Sequence, residues 1–117
     1  MRRIVPIMVF LLVSNSAWSF NLSWMKDAPV SNFTEEDWGT LRSAVEAVLQ
    51  ESEQGSSRTW ANEATGNSGT VTLLGSGDRD GALCRRLKIE NRTPDLAGVS
   101  TATFCQTVDG EWKMAGH

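Results

Sequence analysis

The chain has 117 residues, 40% of them hydrophobic, with 11 Lys plus Arg against 14 Asp plus Glu. That length holds one small domain, the apolar content excludes disorder, and the acidic balance argues against a nucleic-acid binder. The chemical inventory is thin as well: the one His is His117, there is no Tyr, and the two Cys are Cys84 and Cys105.

Residues 1–19 read as a secretory leader. Arg2 and Arg3 precede an apolar run from Ile4 to Val13, and Ala17 and Ser19 offer the small side chains that a signal peptidase accepts. Cleavage is expected after Ser19. As a helix the run rises about 15 Å, half of a roughly 30 Å hydrocarbon core, which suits a leader better than an anchor. No Cys stands at the cleavage point to take a lipid, so no stable membrane insertion is expected once the leader is gone. The expected location is the periplasm or the cell surface. Removing the leader takes two basic groups with it and leaves a charge of about −5 with His neutral.

An exported chain meets an oxidising compartment, so Cys84 and Cys105 are expected to form a disulfide; closing that loop contributes about 3 kcal/mol. The spacing is not C-x-x-C, which removes a thioredoxin-like role.

Residues 20–33 form an N-terminal arm. Phe20, Leu22 and Trp24 alternate with polar residues, as in a strand that adds to another sheet or a segment laid over the core, and these three are the candidate partner contacts. The domain proper spans residues 34–117. Thr34 is placed to cap a helix whose first turn carries Glu35, Glu36 and Asp37, and Phe33 and Trp38 are spaced for a hydrophobic staple. Trp38, Leu41, Val45, Val48 and Leu49 then recur at three and four residues, predicting a helix from Glu35 to about Ser52.

From Ser57 the period changes to two. Strands are predicted at Ser57 to Asn62, Ser68 to Leu74, Ala82 to Asn91, Val99 to Val108 and Glu111 to Ala115, with Gly75 to Gly81 as a loop and Asp109-Gly110 as a two-residue type I′ turn. A turn centred between Pro94 and Asp95 sets Cys84 opposite Cys105. Centring the last hairpin on Asp109 and Gly110 sets Trp112 opposite Thr107 and Met114 opposite Cys105, on the disulfide face. Leu83, Leu87, Ile89, Ala102 and Phe104 fall on the other face, the better one for the helix; a bulge, or cover of the second face by the arm, would complete the match.

Few features point to chemistry. The carboxylates are explained by the helix start and by turns, no internal His serves the serines as a base, and no set of metal ligands assembles, so neither catalytic residues, a metal nor a cofactor is expected. Trp38, Trp60 and Trp112 read as core and Trp24 as the most exposed tryptophan. Arg86, Lys88 and Glu90 form a charged stripe, ordinarily a solvated strand face and otherwise a site for an anionic glycan or lipid.

The series Trp60, Asn62, Thr65, Gly66, Gly69 and Val71, then Cys84-Arg85, Cys105 and Gly110 with Trp112, resembles the C-terminal domain of the bacterial 17-kilodalton surface antigen family, over most of Thr34 to Met114. Glu63 stands where members often have Pro, and the lipobox Cys and glycine-zipper segment of many members are missing. The resemblance implies an extracytoplasmic β-rich domain and supplies no catalytic residues.

These readings converge on an α+β domain, one N-terminal helix packed on a four- to five-stranded antiparallel meander with one disulfide. The expected role is a non-enzymatic envelope module that contacts an envelope protein through the arm or a sheet edge. The alternative is a small secreted inhibitor of a cationic hydrolase such as a lysozyme, suggested by size, acidity and the disulfide.

Overall fold

The computed structural model describes residue 22 and residues 24–116. The expected leader and its cleavage point, Phe20 of the arm, and His117 lie outside these. A short 3-10 turn at Ala28–Asn32 leads to helix α1 (Glu35–Leu49) and strands β1 (Ser57–Asn62), β2 (Asn67–Arg79), β3 (Ala82–Arg92), β4 (Ala97–Gln106) and β5 (Trp112–Gly116). The strands form one antiparallel sheet in the order β1-β2-β3-β4-β5, the α+β meander expected. No helix among the described residues is long and apolar enough to cross a membrane.

Thr34 and Asp37 start α1 with a reciprocal capping box: the Asp37 amide donates to Thr34 Oγ1 at 3.1 Å and the Thr34 amide to Asp37 Oδ2 at 2.9 Å. Phe33 meets Trp38 edge to face at 5.4 Å, completing the staple, and meets Trp60 of β1 at the same distance. Leu41, Val45, Val48 and Leu49 bury the helix stripe over β1 and β2, against Trp60, Val71 and Leu73. The helix stops at Leu49, about a turn short of the predicted end.

Beside the helix, on the same face, the arm and its 3-10 turn lie against β3 and β4. Leu22 and Met25 are buried in the core with Leu87, Ile89, Ala102 and Phe104. Asn91 of β3 donates from Nδ2 to Met25 Sδ and to Asp27 Oδ2, each at 3.2 Å. Two glycines make room across this row. A Cβ on Gly69 would stand 2.5 Å from Trp60 Nε1, and one on Gly98 would stand 2.7 Å from Asp27 Oδ2. Gly69 and Gly98 are the register partners of Asn91 on either side, so both neighbouring side chains close over a backbone that has nothing in their way.

Cys84 faces Cys105 in register, bridged, with Cα atoms 4.0 Å apart. The turn about Pro94 and Asp95 therefore has the expected centre. Two other connections correct the sequence reading. The stretch from Gly75 to Gly81 is not a loop: β2 runs on to Arg79, which pairs with Ala82, and Asp80 and Gly81 at φ 53° and 87° make the two-residue type I′ turn. Asp109-Gly110, assigned that role from sequence, instead closes a three-residue loop. Thr107 N donates to Glu111 O at 2.8 Å, Gly110 N to Thr107 O at 2.9 Å, and only Gly110 carries the positive φ. The pairing shifts by one residue, Gln106 to Trp112 and Phe104 to Met114, and so Trp112 and Met114 move to the helix face. Trp112 is buried there.

The described residues of the arm lie on the helix face, and none of them covers the other. Bulges do occur, where the register shifts between Leu73 and Gly75 and between Thr103 and Phe104.

Candidate functional site

One buried polar centre ties the helix to the sheet. Asp37 is fully buried. Its Oδ1 accepts from Asn62 Nδ2 and Thr65 Oγ1, both at 2.9 Å, while Oδ2 accepts from Asn67 Nδ2 at 2.7 Å and from the Thr34 amide. These four donors fill the lone-pair positions of a carboxylate. The β1–β2 turn that supplies three of them is itself held by Asn62, whose side-chain oxygen accepts from Ala64 N at 3.0 Å and whose carbonyl accepts from Gly66 N at 2.8 Å. Burial pushes the Asp37 carboxyl up; the Thr34 amide and the Asn67, Asn62 and Thr65 side chains outweigh it, and the net displacement is downward. An ionised group with every acceptor position occupied is a structural knot and has no capacity left to exchange a proton with a substrate. It explains why Asn62, Thr65, Gly66 and Asn67 stand where they do. From sequence Asp37 reads only as a first-turn acid favoured by the helix dipole; its capping-box spacing from Thr34 is the signal of the further role.

Arg85 makes the second tie. Its Nη1 donates to the carbonyl of Leu49 at the end of α1, its Nε donates to Ser76 Oγ at 3.1 Å, and its guanidinium lies 5.5 Å from the ring centre of Trp112. A cation at a helix C-terminus is favoured by the dipole and here satisfies a terminal carbonyl directly. Both ends of the helix are thus held by residues of the sheet.

The expected contact residues of the arm fall in different places. Leu22 points into the core, Trp24 is half-buried against it, and Phe20 lies outside the described residues. Of the two that are described, Leu22 is buried, so it and Trp24 do not form an open surface together.

What lies open is the other face of the sheet. Strand alternation and register bring Thr59, Thr70, Thr72, Thr101 and Thr103 onto it. Five basic residues share the face, Arg79, Arg86, Lys88, Arg92 and Lys113, against one carboxylate, Glu90, which pairs with Lys88 at 3.9 Å. The sign is opposite to that of the chain as a whole. The disulfide lies on this face too, beside a depression of about 380 Å³ lined in part by Gly75, Gly77, Cys84 and Arg86.

The fold and this surface define a small disulfide-clipped α+β domain with a single covered sheet face. The model of the 17 kDa outer membrane surface antigen family matches residues 47–113, more than half of the chain, and the chain belongs to that family. No curated protein and no solved structure matches it. The match contains both cysteines, Arg85, Trp60, Trp112 and the Asn62 to Asn67 turn, while Asp37, which those turn residues bind, and Thr34 precede it.

Proposed function

We propose that this member of the family is an exported, non-enzymatic envelope module that docks another envelope component on the open face of its sheet. The observation that carries the reading is the asymmetry of the sheet: the helix and the arm cover one face, while the other presents hydroxyls and unlike-signed charge with no layer over it among the described residues. The family, named for an outer membrane surface antigen, supports the envelope setting. The commitment of Asp37 to four donors supports a role without catalysis. The arm contributes to this function indirectly, by completing the core beneath the sheet.

Site-specific photo-crosslinking in cells that make the protein tests it. A photoreactive residue at Thr101, on the open face, is expected to give adducts with envelope material, and one at Ser43, exposed on the helix, is expected to give none. Adducts from Ser43 alone would overturn the reading and favour a partner on the acidic helix side, where an inhibitor of a cationic hydrolase would make its contacts.

A further inference from the structure

The open face has a focus at Arg86. Gly75, Arg86, Thr103 and Gly116 stand in register across four strands, so the guanidinium has glycine on its β2 side and a small hydroxyl residue, then glycine, on the other. The two bulges flank this row, one on β2 and one between β4 and β5, and bulges bend a sheet where they occur. Depressions of about 380 Å³ and about 250 Å³ result, and Arg86 and Thr103 line both. Among the described residues the ion pairs join Arg58 to Glu51 and Lys88 to Glu90; the Arg86 guanidinium has neither an ion pair nor a hydrogen bond. An exposed, unpaired fork of donors in a trough floored by Gly75 and Gly77 and walled on one side by Leu74 and Cys84 is suited to a phosphate, which it can grip with two parallel hydrogen bonds.

The surroundings select the larger ligand. Lys88 and Arg92 follow Arg86 along β3, and at about 3.3 Å per residue the three basic groups span about 20 Å. Thr72 and Thr101 flank Lys88, and the row between Lys88 and Arg92 holds Thr59, Thr70, Val99 and Glu90, the last paired to Lys88 at 3.9 Å, so Arg86, unlike Lys88, is free of an ion pair among the described residues. Interfaces with proteins centre on buried aromatic anchors; this face carries none, and its one large apolar side chain in the open is Val99. Hydroxyls and spaced cations along an extended strand surface match a polymer that offers hydroxyls and spaced phosphates.

We infer that the open sheet face binds a phosphate-bearing polysaccharide of the envelope, with Arg86 gripping a phosphate and Lys88 and Arg92 meeting the next ones along the chain. This rests on the docking reading above and names its ligand. The test is calorimetric titration of the disulfide-bonded protein with phosphomannan, with enzymatically dephosphorylated mannan as the control. Binding to phosphomannan that weakens as salt rises, with none to the dephosphorylated polymer, is expected. Arg86→Gln is expected to lower the affinity at least fivefold, and Arg58→Gln, on the opposite face, to leave it unchanged, both variants keeping the wild-type near-ultraviolet circular dichroism. Equal binding of the two mannans, or equal loss in the two variants, would overturn the inference. So would vesicles of anionic phospholipid binding through Arg86 when phosphomannan does not, an outcome that would reassign the face to a membrane surface. Crosslinks from Thr101 without phosphomannan binding would leave the docking reading standing and remove the polysaccharide alone.

Discussion

At the scale of single residues, two polar side chains tie the helix to the sheet. Asp37 and Arg85 sit at opposite ends of one helix and each reaches the sheet, so neither acts as an ordinary surface charge. Asp37→Asn keeps the size of the side chain but sets an amide group against donors, leaving at least two of them unpaired in a buried site. A loss of about 3 kcal/mol in urea unfolding is expected. The same variant isolates the pH dependence. Because the carboxyl is displaced downward in the folded protein, its stabilisation is complete above the ordinary value of 3.8 and disappears as pH falls below it toward the lower folded value. The stability of the wild type is expected to decline toward that of Asp37→Asn over this acid range, the difference between the two curves narrowing as pH falls. A gap that stayed constant between pH 5 and pH 2 would show that the ionised form is not what the four donors hold.

At the scale of elements, the sequence disclosed whatever depends on neighbours in the chain. The helix start, the staple, β1 and the Cys84–Cys105 register were all legible, because capping, periodicity and turn centring are local. The two Asp-Gly pairs were not. Each is a good type I′ turn in isolation, yet only Asp80-Gly81 adopts it; at Asp109-Gly110 the Thr107 hydroxyl accepts from both Asp109 N and Glu111 N and draws one more residue into the loop. That one residue decides which face Trp112 occupies. The arm was equally opaque, since nothing within Phe20 to Asn32 states that the other half of the sheet lacks a cover. Its hydrophobic alternation suits a partner's sheet and its own core alike. With Leu22 buried beside Met25, Leu22→Ala is expected to cost about 2–4 kcal/mol, measured by denaturant unfolding. A cost below about 0.5 kcal/mol would return the arm to the surface.

At the scale of the whole molecule, the candidate site was half legible. Alternation along β3 announced a charged stripe, but a stripe on a strand is usually only solvated, and the features that single out Arg86 are not local. They come from glycines on two other strands, from bulges that shift the register by one residue, and from the absence of an acidic partner on a face whose composition is assembled from all five strands. The charge of the chain as a whole misleads here, because many of its carboxylates gather at the helix start and in the turns while five of the nine basic groups among the described residues share the open face.

The covering layer has one further consequence, since it is made of two pieces that are far apart in character. A continuous helix, tied at both ends, lies over β1 and β2; a short arm, held by Leu22, Met25 and the Asn91 contacts, lies over β3 and β4. The second piece has fewer anchors, so the molecule has a hinge of stability down the middle of its sheet, and it should open from one side. In native-state hydrogen exchange the amides of Ala102 and Phe104 are expected to exchange sooner than those of Val71 and Leu73. The disulfide clips β3 to β4 on the far side from the arm, so when that segment lifts away the two strands beneath it fray while still tethered, and the opening does not spread to their full separation.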